Sequence, residues 1–401
     1  MLLTLLFLAA TSLGLSLLLT PIIRTLALRC NLVDLPDNKR KVHKKPVPRV
    51  GGIALAAAYF GSLLLVATFL AHRQPTVNGG FATVKLIAPA AMLIFLIGLA
   101  DDIFNLKPWH KFGVQIVAAG MVVSAGVHIH SVAALSVHPV LGALVSILWL
   151  VACTNAVNLI DGLDGLAAGI SFLATLTVLI ASVMSGNMGL TIAAAPLAAA
   201  LLGFLVFNFN PASIFLGDCG SLLLGFLLGC YGILWSRSSA TLLEMTAPLM
   251  AVAVPLIDTT LAIARRSLSG QPIFKADRSH IHHRLLARGL SHRSTVLLLY
   301  VAAGIAGSLS LCLIWARDQW EAVVFAAFSC AVILGVRQLD YAEFHSLPKI
   351  LLFGGLPRAT TGHPTPQTFE EGMEATQTAD LQEKTAVYSP APFETQQRPA
   401  A

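Results

Sequence analysis

The chain has 401 residues, of which 56% are hydrophobic and only 11% are charged, and its mean hydropathy is +0.77. A soluble protein of this length needs a much more polar surface, so this composition excludes an ordinary soluble domain. The formal net charge is +6, and the positions of the Lys and Arg residues along the chain are informative.

The apolar residues fall in runs close to the roughly 20 residues that a helix needs to cross a bilayer. Eleven spans are predicted, at 2–20, 51–70, 84–100, 113–128, 139–156, 166–184, 190–207, 221–235, 247–264, 295–314 and 321–336. The first run is expected to be a retained span, because it lacks the basic start and short apolar core of a signal peptide. Uninterrupted runs of this length exclude a barrel, so we predict an all-α, polytopic integral membrane helix bundle.

The Lys and Arg residues predict the orientation of this bundle. Alternate loops hold 22 of the 26, at 21–50, 101–112, 157–165, 208–220, 265–294 and 337–401. By the positive-inside rule these loops are cytoplasmic, which puts the N-terminus outside and the C-terminus in the cytoplasm. We expect one transmembrane domain, 1–336, with functional cytoplasmic loops, followed by a cytoplasmic segment, 337–401, that is mostly a disordered tail.

Acidic residues directly follow or precede apolar runs in three of the cytoplasmic loops. "LIGLADDIF" contains Asp101 and Asp102, "NAVNLIDGLDG" contains Asp161 and Asp164, and "FLGDCG" contains Asp218. One such carboxylate is usually a solvated helix cap. Several at one membrane face are costly unless water, a metal or a cation compensates them. Because Mg²⁺ takes one or two carboxylates together with substrate phosphates, the pattern predicts a magnesium site for a pyrophosphate substrate at the cytoplasmic surface.

The stretch "FKADRSHIHHRLLARGLSHR", residues 274–293, concentrates histidine and basic residues between two apolar runs. Its basic residues alone would be a topology signal, but that explanation leaves the histidines unexplained. On a short helix His280, His283 and Arg284 share one face, where imidazole and guanidinium groups can donate to phosphate. Zinc is disfavoured, since thiolate partners are missing and the spacing is crowded. Asp258, inside the ninth run, fits either a structural pairing or catalysis.

Six motifs, taken in order between residues 31 and 295, carry a resemblance to a known family. They are "DLPDNKRKVHKKPVPRVGG", "GLADDIFNLKPWHKFGVQ", "NAVNLIDGLDGLAAG", "FNFNPASIFLGDCGSL", "PLIDTTLAIARR" and "ADRSHIHHRL". The chain resembles the polyprenyl-phosphate N-acetylhexosamine-1-phosphate transferases of glycosyltransferase family 4, integral membrane enzymes that move a sugar 1-phosphate from a UDP-sugar to a lipid phosphate. The last motif is similar to the branch that uses UDP-N-acetylglucosamine and undecaprenyl phosphate.

The resemblance implies roles for individual residues. It implies Mg²⁺, with Mn²⁺ as a candidate substitute, and the implied metal-binding residues are Asp218, Asp101 and Asp102. The implied catalytic residues are Asp101, Asp102, Asp161, Asp164, His280, His282 and His283. The implied substrate-binding residues are His43, Lys44, Lys45, Asn158, Phe215, Arg278 and Arg284, with Phe215 stacking on uracil. Some family members carry a third carboxylate where this chain has Asn105.

The reaction that the resemblance implies is transfer of N-acetylglucosamine 1-phosphate from UDP-N-acetylglucosamine to undecaprenyl phosphate, with release of UMP. This step would initiate a cell-envelope polysaccharide such as O-antigen or teichoic acid, at the cytoplasmic face of the bacterial inner membrane. Membrane lipid and a second copy of the chain are expected partners, and nucleic acid is not. The alternatives are another UDP-N-acetylhexosamine, including UDP-MurNAc-pentapeptide, or a secondary transporter, which the lack of an internal repeat disfavours.

Overall fold

The computed structural model describes residues 2–34, 46–70, 75–132, 135–136, 138–236, 245–268, 270, 280–315 and 320–338. Its helices are α1 Leu2–Arg29, α2 Gly51–Leu70, α3 Pro75–Phe104, α4 Pro108–Ser124, α5 Pro139–Ile160, α6 Leu166–Met184, α7 Met188–Asn208, α8 Gly217–Ser236, α9 Thr246–Ala251, α10 Ala253–Leu268, α11 Ile281–Ala287, α12 His292–Trp315 and α13 Glu321–Gln338. Two short antiparallel pairs are formed by β1 Val33–Asp34 with β2 Val47–Pro48 and by β3 Ser131–Val132 with β4 Leu135–Ser136. The predicted all-α polytopic class is confirmed.

Nine helices in the described part of the chain are long and apolar enough to cross a bilayer, judged by length and composition. These nine are α1, α2, α3, α5, α6, α7, α8, α12 and α13. The other two predicted spans do not meet this criterion as single helices. α4 has only 17 residues, and the run 247–264 divides into α9 and α10 at Val252. Pro255 explains the division, because it has no N–H for the helical ladder and its ring crowds the preceding turn. The expected number of eleven spans therefore stays a prediction.

α8 forms the centre of the bundle. In the most apolar stretch of α8, 94% of the residues are buried, whereas in that of α13 only 11% are. α8 packs against α2, α3, α5 and α6, and it is hydrophobic on every side, as expected of a fully enclosed helix. Inside this core the hydroxyls of Tyr59 and Tyr231 lie 2.9 Å apart, and Tyr231 donates to the carbonyl of Ala193. This chain of hydrogen bonds ties α2, α8 and α7 together where no water is at hand to satisfy a hydroxyl.

α1 shows how an outer helix attaches to this core. Buried side chains recur every fourth residue along one face, at Thr4, Leu8, Ser12, Ser16 and Thr20, and all of these except Leu8 are small and polar. The hydroxyls of Ser12 and Ser16 each donate to a backbone carbonyl of α7 at 2.7 Å. Small residues and interhelical hydrogen bonds are how helices associate in lipid, where apolar contact alone gives little preference. On its other side α1 exposes large apolar side chains such as Leu3, which is the surface a lipid-facing helix needs.

Candidate active site

The first turn of α8 is capped by a carboxylate from another helix. Asp102, in the last turn of α3, accepts hydrogen bonds from the backbone N–H of Asp218 through Oδ1 and of Cys219 through Oδ2, both at 2.9 Å. Such N–H groups have no partner within their own helix. Gly217 leads the chain into α8 with a φ of +75°, which glycine adopts without steric cost. Both oxygens of Asp102 therefore hold the start of α8 against α3.

Lys111, near the start of α4, joins the other two carboxylates. Its Nζ lies 2.9 Å from Asp101 Oδ2 and 2.7 Å from Asp218 Oδ2. The three side chains are 20%, 13% and 29% exposed in that order, so these charges are only partly screened by solvent. The second oxygen of Asp101 accepts from the backbone N–H of Leu106 at 2.6 Å. We call Asp101, Lys111 and Asp218 the ion triad; it links the ends of α3, α4 and α8.

The ion triad is compatible with the predicted magnesium ion. Asp101 and Asp218 each direct one oxygen at the same ammonium group, so a cation fits between them. Asp102 is less suited, because its two oxygens already accept backbone hydrogen bonds. Among the described residues, no group of three or more His, Cys, Asp or Glu side chains could hold a metal ion. Two carboxylates are as many as Mg²⁺ usually takes from a protein when phosphate oxygens and water complete its shell, so a magnesium site at Asp101 and Asp218 stays a prediction.

Arg49, which sequence reasoning missed, connects the end of the first loop to α3. Its Nη2 donates to the carbonyl of Asp102 at 2.6 Å and to Oδ1 of Asn105 at 2.9 Å. Asn105 has a φ of +50°, a conformation that asparagine tolerates better than most residues. Asn105 thus has a structural partner at the position where some family members carry a carboxylate. The remaining candidates of this loop, His43, Lys44 and Lys45, lie outside the described residues.

The backbone of Phe215 is paired with the segment that follows the first loop. Its N–H donates to the carbonyl of Pro48 at 2.7 Å, and its carbonyl accepts from the N–H of Gly51 at 2.9 Å. The side chain of Phe215 is partly exposed, and the residue lies three positions before Asp218. Its expected stacking on uracil stays a prediction.

Asp164 organises the turn between α5 and α6. Its Oδ2 accepts from the side-chain amide of Asn210 and from the backbone N–H of Ala212, both at 3.0 Å. Its own backbone N–H donates to Nε2 of His292 at 3.1 Å. Asp164 therefore holds three segments together, and neither Asn210 nor His292 was anticipated from the sequence.

Asp161 lies in the same turn, but its carboxylate is in a different environment from that of Asp164. Among the described residues its carboxylate has neighbouring negative charges but no hydrogen-bond donor, whereas Asn158, one turn earlier, donates to the hydroxyl of Ser221 on α8 at 2.9 Å. Burial first, and then the nearby negative charges, raise the pKa of Asp161 well above its usual range. Those charges belong to Asp218, Asp102 and Asp164. The acidic loops of the sequence thus converge on one end of the bundle.

The histidines begin the short helix α11. His280 is its N-cap residue and is 5% exposed, His282 is 1% exposed, and His283 is exposed. The rings of His280 and His282 stack with their planes 4° apart, and the ring of His283 lies 4.2 Å from that of His282. Sequence spacing pairs His280 with His283, but His280 precedes the first helical residue, so helical spacing does not apply to it. Two arginines of this stretch were predicted to bind substrate. Arg284 lies partly exposed on α11, and Arg278 lies outside the described residues.

His282 is the buried polar group that most resembles a ligand contact. Neither of its ring nitrogens has a hydrogen-bond partner in the described part of the chain. The ring lies against Gly162, between Asp161 and Asp164 in sequence, where an added methyl group would collide with Nε2. Burial, reinforced by His283, lowers the pKa of His282 to about 3, so its imidazole is neutral near pH 7. It can then offer one N–H donor and one acceptor to a substrate.

Comparison with known proteins finds a matching family and related sequences. The sequence model described as glycosyl transferase family 4 matches residues 84–236, from α3 to the end of α8. A Bacillus subtilis (strain 168) protein named as a probable undecaprenyl-phosphate N-acetylglucosaminyl 1-phosphate transferase is 38% identical over 76% of this chain and 83% of its own length. A Mycolicibacterium smegmatis decaprenyl-phosphate N-acetylglucosaminephosphotransferase is 37% identical over 71% of this chain and 75% of its own. An Escherichia coli O157:H7 protein named undecaprenyl-phosphate alpha-N-acetylglucosaminyl 1-phosphate transferase is 28% identical over 78% and 84%.

Proposed function

The chain belongs to glycosyl transferase family 4, and we propose that it transfers N-acetylglucosamine 1-phosphate from UDP-N-acetylglucosamine to a polyprenyl phosphate. The names of its relatives divide between undecaprenyl and decaprenyl acceptors, and undecaprenyl phosphate is our first choice because the 38% identical relative carries that name. The products are the lipid pyrophosphate of N-acetylglucosamine and UMP. The proposed reaction takes place at the cytoplasmic face of a bacterial inner membrane and begins a cell-envelope polysaccharide.

The observation that carries this proposal is the ion triad at the ends of three helices. Asp101, Lys111 and Asp218 place two negative charges and one positive charge where apolar helices meet the predicted membrane surface. A lipid phosphate can reach this depth because its tail stays among apolar helices. A phosphoryl transfer gains most from fixed charges that position and neutralise phosphate oxygens, and the triad offers such charges.

In the proposed reaction an oxygen of the lipid phosphate attacks the phosphorus that carries the sugar. The bond from that phosphorus to the bridging oxygen breaks, and UMP leaves with the electron pair. The second pKa of a phosphate monoester is about 6, so the attacking oxygen is already ionised at neutral pH. A strong base is therefore not required, which favours a single displacement over a covalent aspartyl-phosphate.

In this proposal the residues of the site have different roles. Asp101 and Asp218 would hold Mg²⁺, which when bound neutralises the pyrophosphate charge. Lys111 supplies a fixed positive charge beside them, and His282 supplies a neutral N–H donor near the turn that contains Asp161. Asp102 and Asp164 position the framework, since their side chains are occupied by hydrogen bonds within the protein.

The test uses the purified full-length chain with UDP-N-acetylglucosamine, undecaprenyl phosphate and Mg²⁺, followed by UMP release and mass spectrometry of the lipid. We expect turnover that a chelator abolishes. Asp218→Asn and Lys111→Met should each lower turnover by roughly 10²-fold, the range seen when one charge-stabilising group is removed. Lys107→Met is the matched control: Lys107 is exposed, makes no side-chain capping bond to α4, and should leave turnover unchanged.

Different results point to different errors. Turnover with another UDP-N-acetylhexosamine but not with UDP-N-acetylglucosamine would keep the chemistry and change the donor. Full activity in chelator would remove the metal from the proposal. No turnover with any donor, in protein shown to be folded, would overturn the transferase assignment and favour transport.

A further inference from the structure

Asp258 connects two helices at a point that the reaction above does not use. It lies on α10 and is 1% exposed. Its Oδ2 lies 2.9 Å from Nδ1 of His280, and its Oδ1 accepts from the backbone N–H of Ile281 at 2.8 Å. Both oxygens of this buried carboxylate are therefore directed at the start of α11.

The contact with Ile281 supplies a cap that α11 lacks. α11 has seven residues, a length at which an isolated helix is not stable in water. His280 occupies the N-cap position but makes no side-chain capping bond of its own. The carboxylate of Asp258 satisfies the first N–H of the helix instead, and so anchors α11 to α10.

The contact with His280 fixes the ring. An ionised carboxylate can only accept, so in that state Nδ1 of His280 carries the proton and donates to Asp258. The other ring nitrogen, Nε2, is then the one left for a second partner. The fixed ring stacks on His282, which has no hydrogen-bond partner of its own among the described residues and lies against Gly162.

We propose that Asp258 is a positioning residue: it holds His280 in one tautomer and starts α11 in the register that places His282 against the turn containing Asp161 and Asp164. This inference deepens the proposed function and depends on it for its kinetic consequence. The anchoring of α11 itself can be measured without any activity. Carboxylates that orient a metal-binding histidine typically change affinity or activity by about 10- to 100-fold when they are altered, and we expect a loss of this size here.

The first measurement is hydrogen exchange of peptides covering 280–290 in the full-length chain. Asp258→Asn keeps the shape of the side chain but removes the charge, and Asp258→Ala removes both contacts. We expect the α11 amides to exchange about fivefold faster in Asp258→Ala, the effect of losing one helix cap. Thr260→Ala is the matched control, because Thr260 lies on α10, is exposed, and among the described residues its hydroxyl donates to the carbonyl of Leu256 in the same helix. Unchanged exchange in Asp258→Ala would overturn the proposal.

The second measurement is a double-mutant cycle on turnover. Asp258→Asn should lower kcat by about 10- to 100-fold with KM for the acceptor nearly unchanged. If Asp258 acts through His280, adding Asp258→Asn to His280→Gln should have little further effect. Additive losses, or full activity in Asp258→Asn, would overturn the positioning role. Faster α11 exchange together with no turnover by the parent chain would support the anchoring and would count against the proposed function instead.

Discussion

At the scale of single residues, Asp161 differs from the other carboxylates of the described site, because among the described residues no hydrogen-bond donor or nearby cation compensates its charge. Its folded-state pKa is raised by burial and by neighbouring negative charges, so the fold disfavours its ionised form. In the unfolded chain its pKa is about 3.9. The ionised side chain therefore destabilises the fold, and this penalty grows as the pH rises from about 4 and is fully present above the folded-state pKa.

We expect Asp161→Asn to be more stable than the parent chain in the absence of metal and substrate. At pH 8 the melting temperature should rise by roughly 2 °C or more, and the difference should shrink towards zero as the pH falls to about 4. Turnover should fall in the same variant, the usual exchange of stability for function at a charged site. Thermal unfolding in detergent across this pH range measures the effect. A variant less stable than the parent at pH 8 would contradict it.

Adjacent residues show what the sequence could and could not predict at this scale. The positions of Asp101 and Asp102 were predictable, since charged residues must lie where an apolar run ends. Their division of labour was not, because neighbours on a helix point about 100° apart, and only packing decides which one faces α8. The same holds for Lys107 and Lys111: both follow α3 in sequence, but only Lys111 reaches Asp101 and Asp218.

At the scale of elements, the site depends on how closely α3 approaches α8. Gly98 lies one turn before Asp102, and a Cβ there would come within 2.6 Å of the carbonyl oxygen of Asp218 and of the Cα of Cys219. These are backbone atoms that cannot rotate away. Gly98→Ala should therefore push the two helices apart, displace the start of α8, lower turnover and destabilise the fold by about 1–3 kcal/mol, the cost typical of overpacking.

Gly113 provides the control for this substitution. It lies in α4, also within a helix, but nothing lies within 4 Å of an added Cβ. Gly113→Ala should keep full turnover and slightly raise stability, because alanine favours a helix by up to about 1 kcal/mol over glycine. Parallel turnover and thermal unfolding assays compare the two variants. Equal activity of both would show that close packing of α3 on α8 is unimportant for the site.

The sequence located the helices better than their interruptions. Hydropathy alone placed a span at 113–128, whereas α4 begins at Pro108, a residue well suited to the first turn of a helix. The break between α9 and α10 was missed because hydropathy treats Val252 and its neighbours as one apolar run, although Pro255, three residues later, was a signal for it in the sequence. The histidine helix α11 was anticipated, but its cap was not, since Asp258 lies more than twenty residues earlier in the chain.

At the scale of the whole molecule, the site supports a prediction of how many times the described part of the chain crosses the membrane. Asp102 at the end of α3 and Asn158 at the end of α5 both contact the first residues of α8. Both helix ends must then lie at one face, so the chain between them has to return through the bilayer, and α4 is the helix available. Its 17 residues span about 26 Å, close to the ~30 Å of the hydrocarbon core.

The same reasoning applies to α9 and α10. α8 leaves the site and ends at the opposite face, while α10 carries Asp258 to His280, whose neighbour His282 lies against the turn after α5. We therefore predict that α9 and α10 together cross back. With these two crossings added to the nine long helices of the described part of the chain, we predict eleven spans, an odd number that would put the two ends of the bundle on opposite sides.

Cysteine labelling tests whether α4, which is shorter than the nine candidate spans, crosses the membrane. Lys107→Cys and His138→Cys place exposed thiols before and after it, in a chain whose exposed Cys30, Cys312 and Cys330 are replaced by serine. With a membrane-impermeant maleimide, we expect right-side-out vesicles to label His138→Cys at once and Lys107→Cys only after permeabilisation, because the Lys and Arg distribution places residue 107 in the cytoplasm. Labelling of both from the same side would mean that α4 does not cross. The ends of α3 and α5 would then lie at opposite faces of the membrane. The convergence of the acidic loops on the start of α8 would be wrong in that case.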